Sequence, residues 1–284
     1  MLPLIFFAIE SSVLSQTDLP AHKVKGAISM IEKIKTVIWF AARPAFWKQA
    51  AALTRRKFLP NYDSAEHSAK ARAWAAERAV PFAEALVAVG ITGTISQLDS
   101  NFVLEGEELA RKSMVRMGGA GDIDLLYNAV KLSGAAQVIE TGVAYGWSSL
   151  AILAALVGRK DAKLVSVDMP YPKMGNEEFV GIVVPKRLRG SWTLLRQPDR
   201  TGVENAIAIA GGQIDLCHFD SDKSWWGRQY AYPLLWAALR PGGIFISDDI
   251  QDNMAFADFA KAKGMPYSVT ESTGKFVGIV RKLH

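Results

Sequence analysis

The sequence predicts an α/β fold: a doubly wound, mostly parallel seven-stranded sheet, finished by a C-terminal antiparallel hairpin and preceded by a helical region. Three observations predict it. From Gln137 onward, short runs rich in β-branched residues alternate with helical stretches, which is the pattern of a parallel sheet covered on both faces. The last two runs flank the tight turn Ser272-Thr273-Gly274-Lys275, and a turn that short forces its strands antiparallel. Before Gln137 the chain reads as successive helices, with no repeat and no low-complexity tract.

The helical part is justified element by element. Residues 30–58 are amphipathic, with a break near Pro44. Asp63 or Ser64 caps the Ala-rich helix AEHSAKARAWAAERA. Pro81 opens PFAEALVAVG and Gly90 closes it. Residues 91–115 are mixed, and Asp122 then caps IDLLYNAVKLSG. The strands follow in order as QVIETG, KLVSVD, SWTLL, IDLCHFD, GGIFISDD, PYSVT and FVGIVRK. The expected domains are an extension over residues 1–29, a helical region over 30–112 and the α/β domain over 113–284.

Composition removes several classes. The chain has 284 residues, half of them hydrophobic and 21% charged, which excludes wholesale disorder. One cysteine, Cys217, cannot form an internal disulfide, and four histidines with it make no Cys/His zinc cluster. Any metal therefore falls to oxygen ligands. The opening MLPLIFFAI is apolar but has no Lys or Arg before it, unlike a secretory signal. It reads as an extension, with Met30 an internal alternative start, and the expected location is cytoplasmic. The net charge of +5 is local: Lys23 to Lys57 holds nine Lys/Arg against Glu32 alone, a net +8, which leaves the rest at −3. No nucleic-acid partner is expected from so confined a signal. Residues 30–58 leave two fates open: peripheral contact with an anionic membrane, or packing on the domain or on a second copy in a homo-oligomer.

The strand ends carry the chemistry. Glu140-Thr141-Gly142-Val143-Ala144-Tyr145-Gly146-Trp147-Ser148 runs from a strand end through a glycine turn into a helix. Glycine there lets the backbone come close to a ligand, and the helix start offers free N–H groups. Glu140 suits an ammonium group better than a pyrophosphate, and the turn lacks the G-x-G-x-x-G register of a dinucleotide site. Asp168, which ends the second strand, is placed to take both hydroxyls of a ribose. Asp220, Asp248 and Asp249 end two further strands and could converge on one Mg²⁺, a cation that prefers hard oxygen ligands.

These residues resemble a class I S-adenosylmethionine-dependent methyltransferase from about residue 113 to the end. More narrowly they are similar to the catechol and caffeoyl-CoA O-methyltransferases and to related bacterial sugar and antibiotic O-methyltransferases. The resemblance rests on Glu140 through Ser148, Asp168, Asp220-Ser221-Asp222-Lys223, Arg240-Pro241-Gly242-Gly243 before Asp248-Asp249, and the hairpin. It implies a Rossmann-like methyltransferase fold. It implies that Glu140 and the backbone of Gly142, Ala144, Tyr145 and Gly146 hold the methionine end of the cofactor, with Ser148 beside it. It implies Asp168 on the ribose, Asp220, Asp248 and Asp249 as the metal triad, and Lys223 as the base. The sequence departs from the family at Asp249, where asparagine is common. Bacterial relatives often have histidine at the position of Lys223.

The expected function is Mg²⁺-assisted O-methylation of a small hydroxylated acceptor. Two alternatives stand beside it: a nucleotide-binding oxidoreductase, and a binding protein that keeps the fold without the chemistry. Lys223 acts as base if burial or a nearby cation depresses its pKa. His218 shares the face of Asp220 and reads as a core or edge histidine. The glycine-rich loop Met117–Asp122 and the long Met169–Gly190 connection are candidate walls of the site, as are Trp225, Trp226 and Tyr230.

Overall fold

A computed structural model describes residues 34–170 and 175–284. Residues 1–33, with the expected extension and the start of the basic amphipathic segment, lie outside the described residues, as do residues 171–174 of the long connection. Two compact units divide between residues 42 and 43. In the first, residues 34–41 are helical, and the Ala42 N–H donates to the Ile38 carbonyl at 3.0 Å.

The second unit, residues 43–284, holds everything else. Its helices are α1 (Trp47–Arg56), α2 (Ala65–Arg78), α3 (Phe82–Ala88), α4 (Ser100–Ala110), α5 (Ile123–Ser133), α6 (Trp147–Leu156), α7 (Asp199–Ile209), α8 (Trp225–Ala238) and α9 (Ala255–Lys263). The break near Pro44 is a single turn of 3-10 helix, Pro44–Phe46, which leads into α1. Ser64 caps α2 by accepting from the His67 N–H, and Asp122 caps α5 by accepting from that of Leu125. Gly134 ends α5 in the left-handed conformation.

The strands are β1 (Ala79–Val80), β2 (Gln137–Thr141), β3 (Lys163–Val167), β4 (Trp192–Leu195), β5 (Ile214–Phe219), β6 (Leu239–Ser247), β7 (Tyr267–Ser272) and β8 (Lys275–Arg281). Their order is β1-β7-β8-β6-β5-β2-β3-β4. The strands β2 to β6 pair in parallel, and β8 runs antiparallel between β6 and β7. The expected seven strands are all present. An eighth, the two-residue β1, adds to the outer edge parallel to β7. It is too short to leave a period-2 pattern, and the helical run before it hides it. Through β1 and α3, the helices that precede residue 113 pack directly on the sheet.

The core has a layer on each face of the sheet. One joins α3, α5 and α6 to Val138, Leu164, Leu216 and Ile244. The other joins α7, α8 and α9 to Ile139, Val165, Cys217 and Phe245. Neighbouring residues of one strand thus serve opposite layers, and β2 and β3 are buried on both faces. Eight of the ten residues of α6 are buried, so this helix is fixed under the carboxyl edge of the sheet. Among the described residues, no helix is long and apolar enough to cross a membrane.

Candidate active site

Where β2 ends, the chain must turn sharply into α6. Gly142 (φ 81°) and Gly146 (φ 91°) take left-handed conformations, and Ala144 does so as well (φ 48°). A side chain at Gly142 would run into the backbone of Asp220, so this turn lies directly against the end of β5. The turn aims the N–H groups of Val143 (2.8 Å) and Ala144 (3.2 Å) at Asp168 Oδ2. The other oxygen of Asp168 pairs with Arg196, whose second nitrogen reaches Glu177 at 2.8 Å.

Two cavities open on this edge. The larger, of about 620 Å³, is lined by Gly142, Val143, Ala144, Asp168, Asp199, Asp220 and Lys223, with α1 closing one wall. The smaller, of about 190 Å³, is lined by residues 118–122 of the glycine-rich loop and by Tyr145, Ser148, His218, Asp220, Lys223, Asp248 and Lys275. Asp220 and Lys223 border both, so they stand at the junction.

The expected cofactor residues divide accordingly. Gly142, Ala144, Asp168 and Asp220 face the larger cavity, and Tyr145 and Ser148 face the smaller. Gly146 is the N-cap of α6 and lines neither. Glu140 corrects the expectation of contact with an ammonium group. It is fully buried, and its Oε2 accepts from Ser149 (2.5 Å) and Ser166 (2.6 Å). Trp192 Nε1 donates to Ser166 in turn (2.8 Å). Alternation along β2 sends this carboxylate beneath the turn, where it fixes the scaffold and does not reach a cavity.

At the junction, Lys223 Nζ lies 2.8 Å from Asp220 Oδ1 and pairs also with Asp249. Burial pushes the Lys223 pKa down, but the charges of Asp220 and Asp249 outweigh it and raise the value above that of an ordinary lysine. The condition set for Lys223 as a base, a depressed pKa, is therefore not met while those pairs stand. Asp220 moves away from an ordinary carboxyl: burial, and then the charge of Asp248, push it up to about 6. Asp249 falls to about 2, because Lys223, Gln251 and Lys275 overcome the effect of burial. Asp249 has a left-handed backbone (φ 51°), and its carboxylate accepts from Gln251 Nε2 at 3.0 Å and lies 3.2 Å from Lys275 Nζ.

The metal triad is thus only partly assembled. Among the described residues, no three His, Cys, Asp or Glu side chains converge on one point. Asp220 and Asp248 are hard oxygen donors on neighbouring strand ends, and they are the two residues that could hold a divalent ion. Asp249, as placed, serves two lysines and a glutamine instead.

His218 is buried between Glu140 Oε1 (3.8 Å) and Asp248 Oδ1 (3.7 Å). Burial disfavours its charge, but the two carboxylates prevail and raise its pKa to about 10. Arg228, fully buried, donates to the carbonyls of Asp248 (3.0 Å) and Asp249 (2.8 Å) and so holds this loop from below. Trp225, Trp226 and Tyr230 do not line either cavity. The first two pack around Tyr62, and Tyr230 stacks under Arg200.

Several cavity residues lay outside what the sequence pattern pointed to. Asp199 is buried, accepts from Ser221 Oγ at 2.6 Å, and is pushed up to about 6, mainly by burial. Its signal was an acid just after the fourth strand. Gln49 and Arg56 of α1, and Asn176, gave no local signal.

A family model for a methyltransferase domain matches residues 139–250, which include this turn, the junction and the loop after β6. No curated protein sequence matches the chain. Among solved structures, an O-methyltransferase from Bacillus cereus in complex with S-adenosylhomocysteine superimposes with a TM-score of 0.50 at 16% identity, over 75% of this chain and 100% of that one. The O-methyltransferase TomG from Streptomyces achromogenes, involved in tomaymycin synthesis and solved with S-adenosylmethionine, gives a TM-score of 0.48 at 13% identity, over 66% and 92% of the two chains.

Proposed function

We propose that the chain is a class I S-adenosylmethionine-dependent methyltransferase, in keeping with the methyltransferase-domain match over residues 139–250, and that it transfers the methyl group to a hydroxyl of a small acceptor. The observation that carries this reading is the junction at Asp220 and Lys223, where a larger cavity lined by Asp168 and Asp199 meets a smaller charged one. The larger cavity takes the cofactor, with Asp168 on its ribose hydroxyls, and the smaller takes the acceptor. The sulfonium methyl is then delivered at the wall the two share.

Methyl transfer is an in-line displacement, so the protein mainly aligns two reactants and raises the electron density on the attacking oxygen. The turn Gly142–Gly146 and the buried Glu140 network keep the cofactor side rigid. Lys223, held charged by its carboxylate partners, donates to the acceptor oxygen and favours its alkoxide form. Asp220, with a pKa near 6, takes the proton. Where Asp220 is instead drawn with Asp248 into holding magnesium, the ion would supply Lewis acidity at that oxygen, and Asp220 would not be the proton acceptor. The glycine-rich loop residues 118–122 enclose the acceptor from the far side.

The test is transfer of labelled methyl from S-adenosylmethionine to a panel of catechols, hydroxylated aromatics and sugars, with and without Mg²⁺ and chelator. Turnover of at least one hydroxyl acceptor supports the reading. Transfer confined to amines or thiols overturns it, and identical rates in chelator and in Mg²⁺ remove the metal from it.

A further inference from the structure

Three side chains of α1 line the larger cavity: Gln49, Leu53 and Arg56. Their spacing places them on one face of the helix. Both ends of this stretch are tied to the domain. Thr201 Oγ1 donates to the Ala45 carbonyl at 3.3 Å, and Arg56 makes a two-pronged pair with Asp222, one contact being 3.2 Å. Asp222 stands between Asp220 and Lys223, so the end of α1 is anchored to the reactive loop itself.

Between these anchors, Gln49 is 6% exposed and its Oε1 has no hydrogen-bond partner. An orphaned acceptor in a protein interior is unfavourable and asks for a donor. The same cavity is lined by a second case, Asn176, which is 5% exposed with an unpartnered Oδ1. With the carboxylates of Asp168 and Asp199, the cavity lining is rich in acceptors. A ligand that satisfies these groups brings several donors to them. The nucleoside of the cofactor does so, with an exocyclic amine and two ribose hydroxyls.

We propose that Gln49 is a cofactor-binding residue, supplied by a helix outside the methyltransferase domain, whose side-chain oxygen accepts a hydrogen bond from the nucleoside part of S-adenosylmethionine. This rests on the cofactor reading above. Arg56 and Asp222 are positioning residues that hold α1 over the cavity.

The experiment is calorimetric titration of S-adenosylhomocysteine into the full chain, wild type and variants, with thermal melts of each protein without ligand. Gln49→Leu and Gln49→Ala should each raise Kd about tenfold, the order of one hydrogen bond left unmade. The Gln49→Leu protein alone should melt no lower than wild type, because the substitution removes an orphaned acceptor, whereas a purely structural role would lower it. Thr54→Ala, on the exposed side of the same helix, should leave Kd within about twofold of wild type. Wild-type affinity in both Gln49 variants overturns the proposal, as does a Kd loss equally large in Thr54→Ala. Failure of the wild type to bind overturns the cofactor reading itself, and this proposal with it.

Discussion

Replacing Asp199 by asparagine should stabilise the protein without ligand, and do so only above mildly acidic pH. Asp199 is buried beside the larger cavity, and burial raises its pKa from 3.8 to about 6, helped by the charges of Asp222 and Asp168 and opposed by the Ser221 hydrogen bond. The folded state therefore keeps this proton over a range in which the unfolded state has lost it. A carboxyl with a raised folded pKa contributes stability that is complete below the unfolded value and is lost as pH rises through the folded value. A rise of that size is worth about 3 kcal/mol between the two protonation states. Asparagine keeps the shape and the acceptor for Ser221 but does not ionise. The unfolding free energy of Asp199→Asn minus that of wild type should thus grow by about 2–3 kcal/mol between pH 4 and pH 7, and stay level above that. Asp220, which is raised in the same direction, is present in both proteins and largely cancels in the difference. Urea titrations of the full chain at intervals from pH 4 to pH 8 measure it. Parallel curves for the two proteins, or a difference that shrinks with rising pH, would refute the reasoning.

Three further outcomes are expected. Glu140→Ala leaves the buried hydroxyls of Ser149 and Ser166 without their acceptor and should cost about 2–4 kcal/mol of stability in the same titrations. Gly142→Ala places a Cβ against the Asp220 carbonyl at a left-handed φ and should cost at least about 2 kcal/mol, with loss of S-adenosylhomocysteine binding by calorimetry. Lys223→Met should lower turnover of a hydroxyl acceptor by about 100-fold or more, while S-adenosylhomocysteine affinity changes by less than about threefold.

The sheet was legible because each of β2 to β6 is a short apolar run ended by a turn or an acid, and because one four-residue turn dictates the reversed final strand. Asp168 and Asp220 were legible for the same reason: their place at a strand end follows from local pattern alone. Glu140 shows where local pattern stops. The sequence places an acid at the strand end, but whether its side chain meets a ligand or a serine pair depends on which layer that residue serves. Asp249 is similar, since its direction is set by a left-handed backbone and by Lys223 and Lys275, which arrive from different elements. Gln49 was not legible at all. It reads as one polar residue on an amphipathic helix, and it joins the site only because α1 docks on α7 and on Asp222. The basic charge concentrated around residues 23–57 gains a partial explanation from that docking: Arg56, at the end of α1, pairs with Asp222 at the cavity wall.

On the proposed function, the larger cavity holds S-adenosylmethionine through Asp168. Calorimetry of S-adenosylhomocysteine with the wild type and with Asp168→Ala tests it most directly, with NAD as the competing ligand. One saturable site is expected in the wild type, with Kd raised about 100-fold or more in Asp168→Ala through loss of two charge-assisted hydrogen bonds, and no binding of NAD. Equal affinity in the two proteins, or binding of NAD in place of S-adenosylhomocysteine, would contradict it.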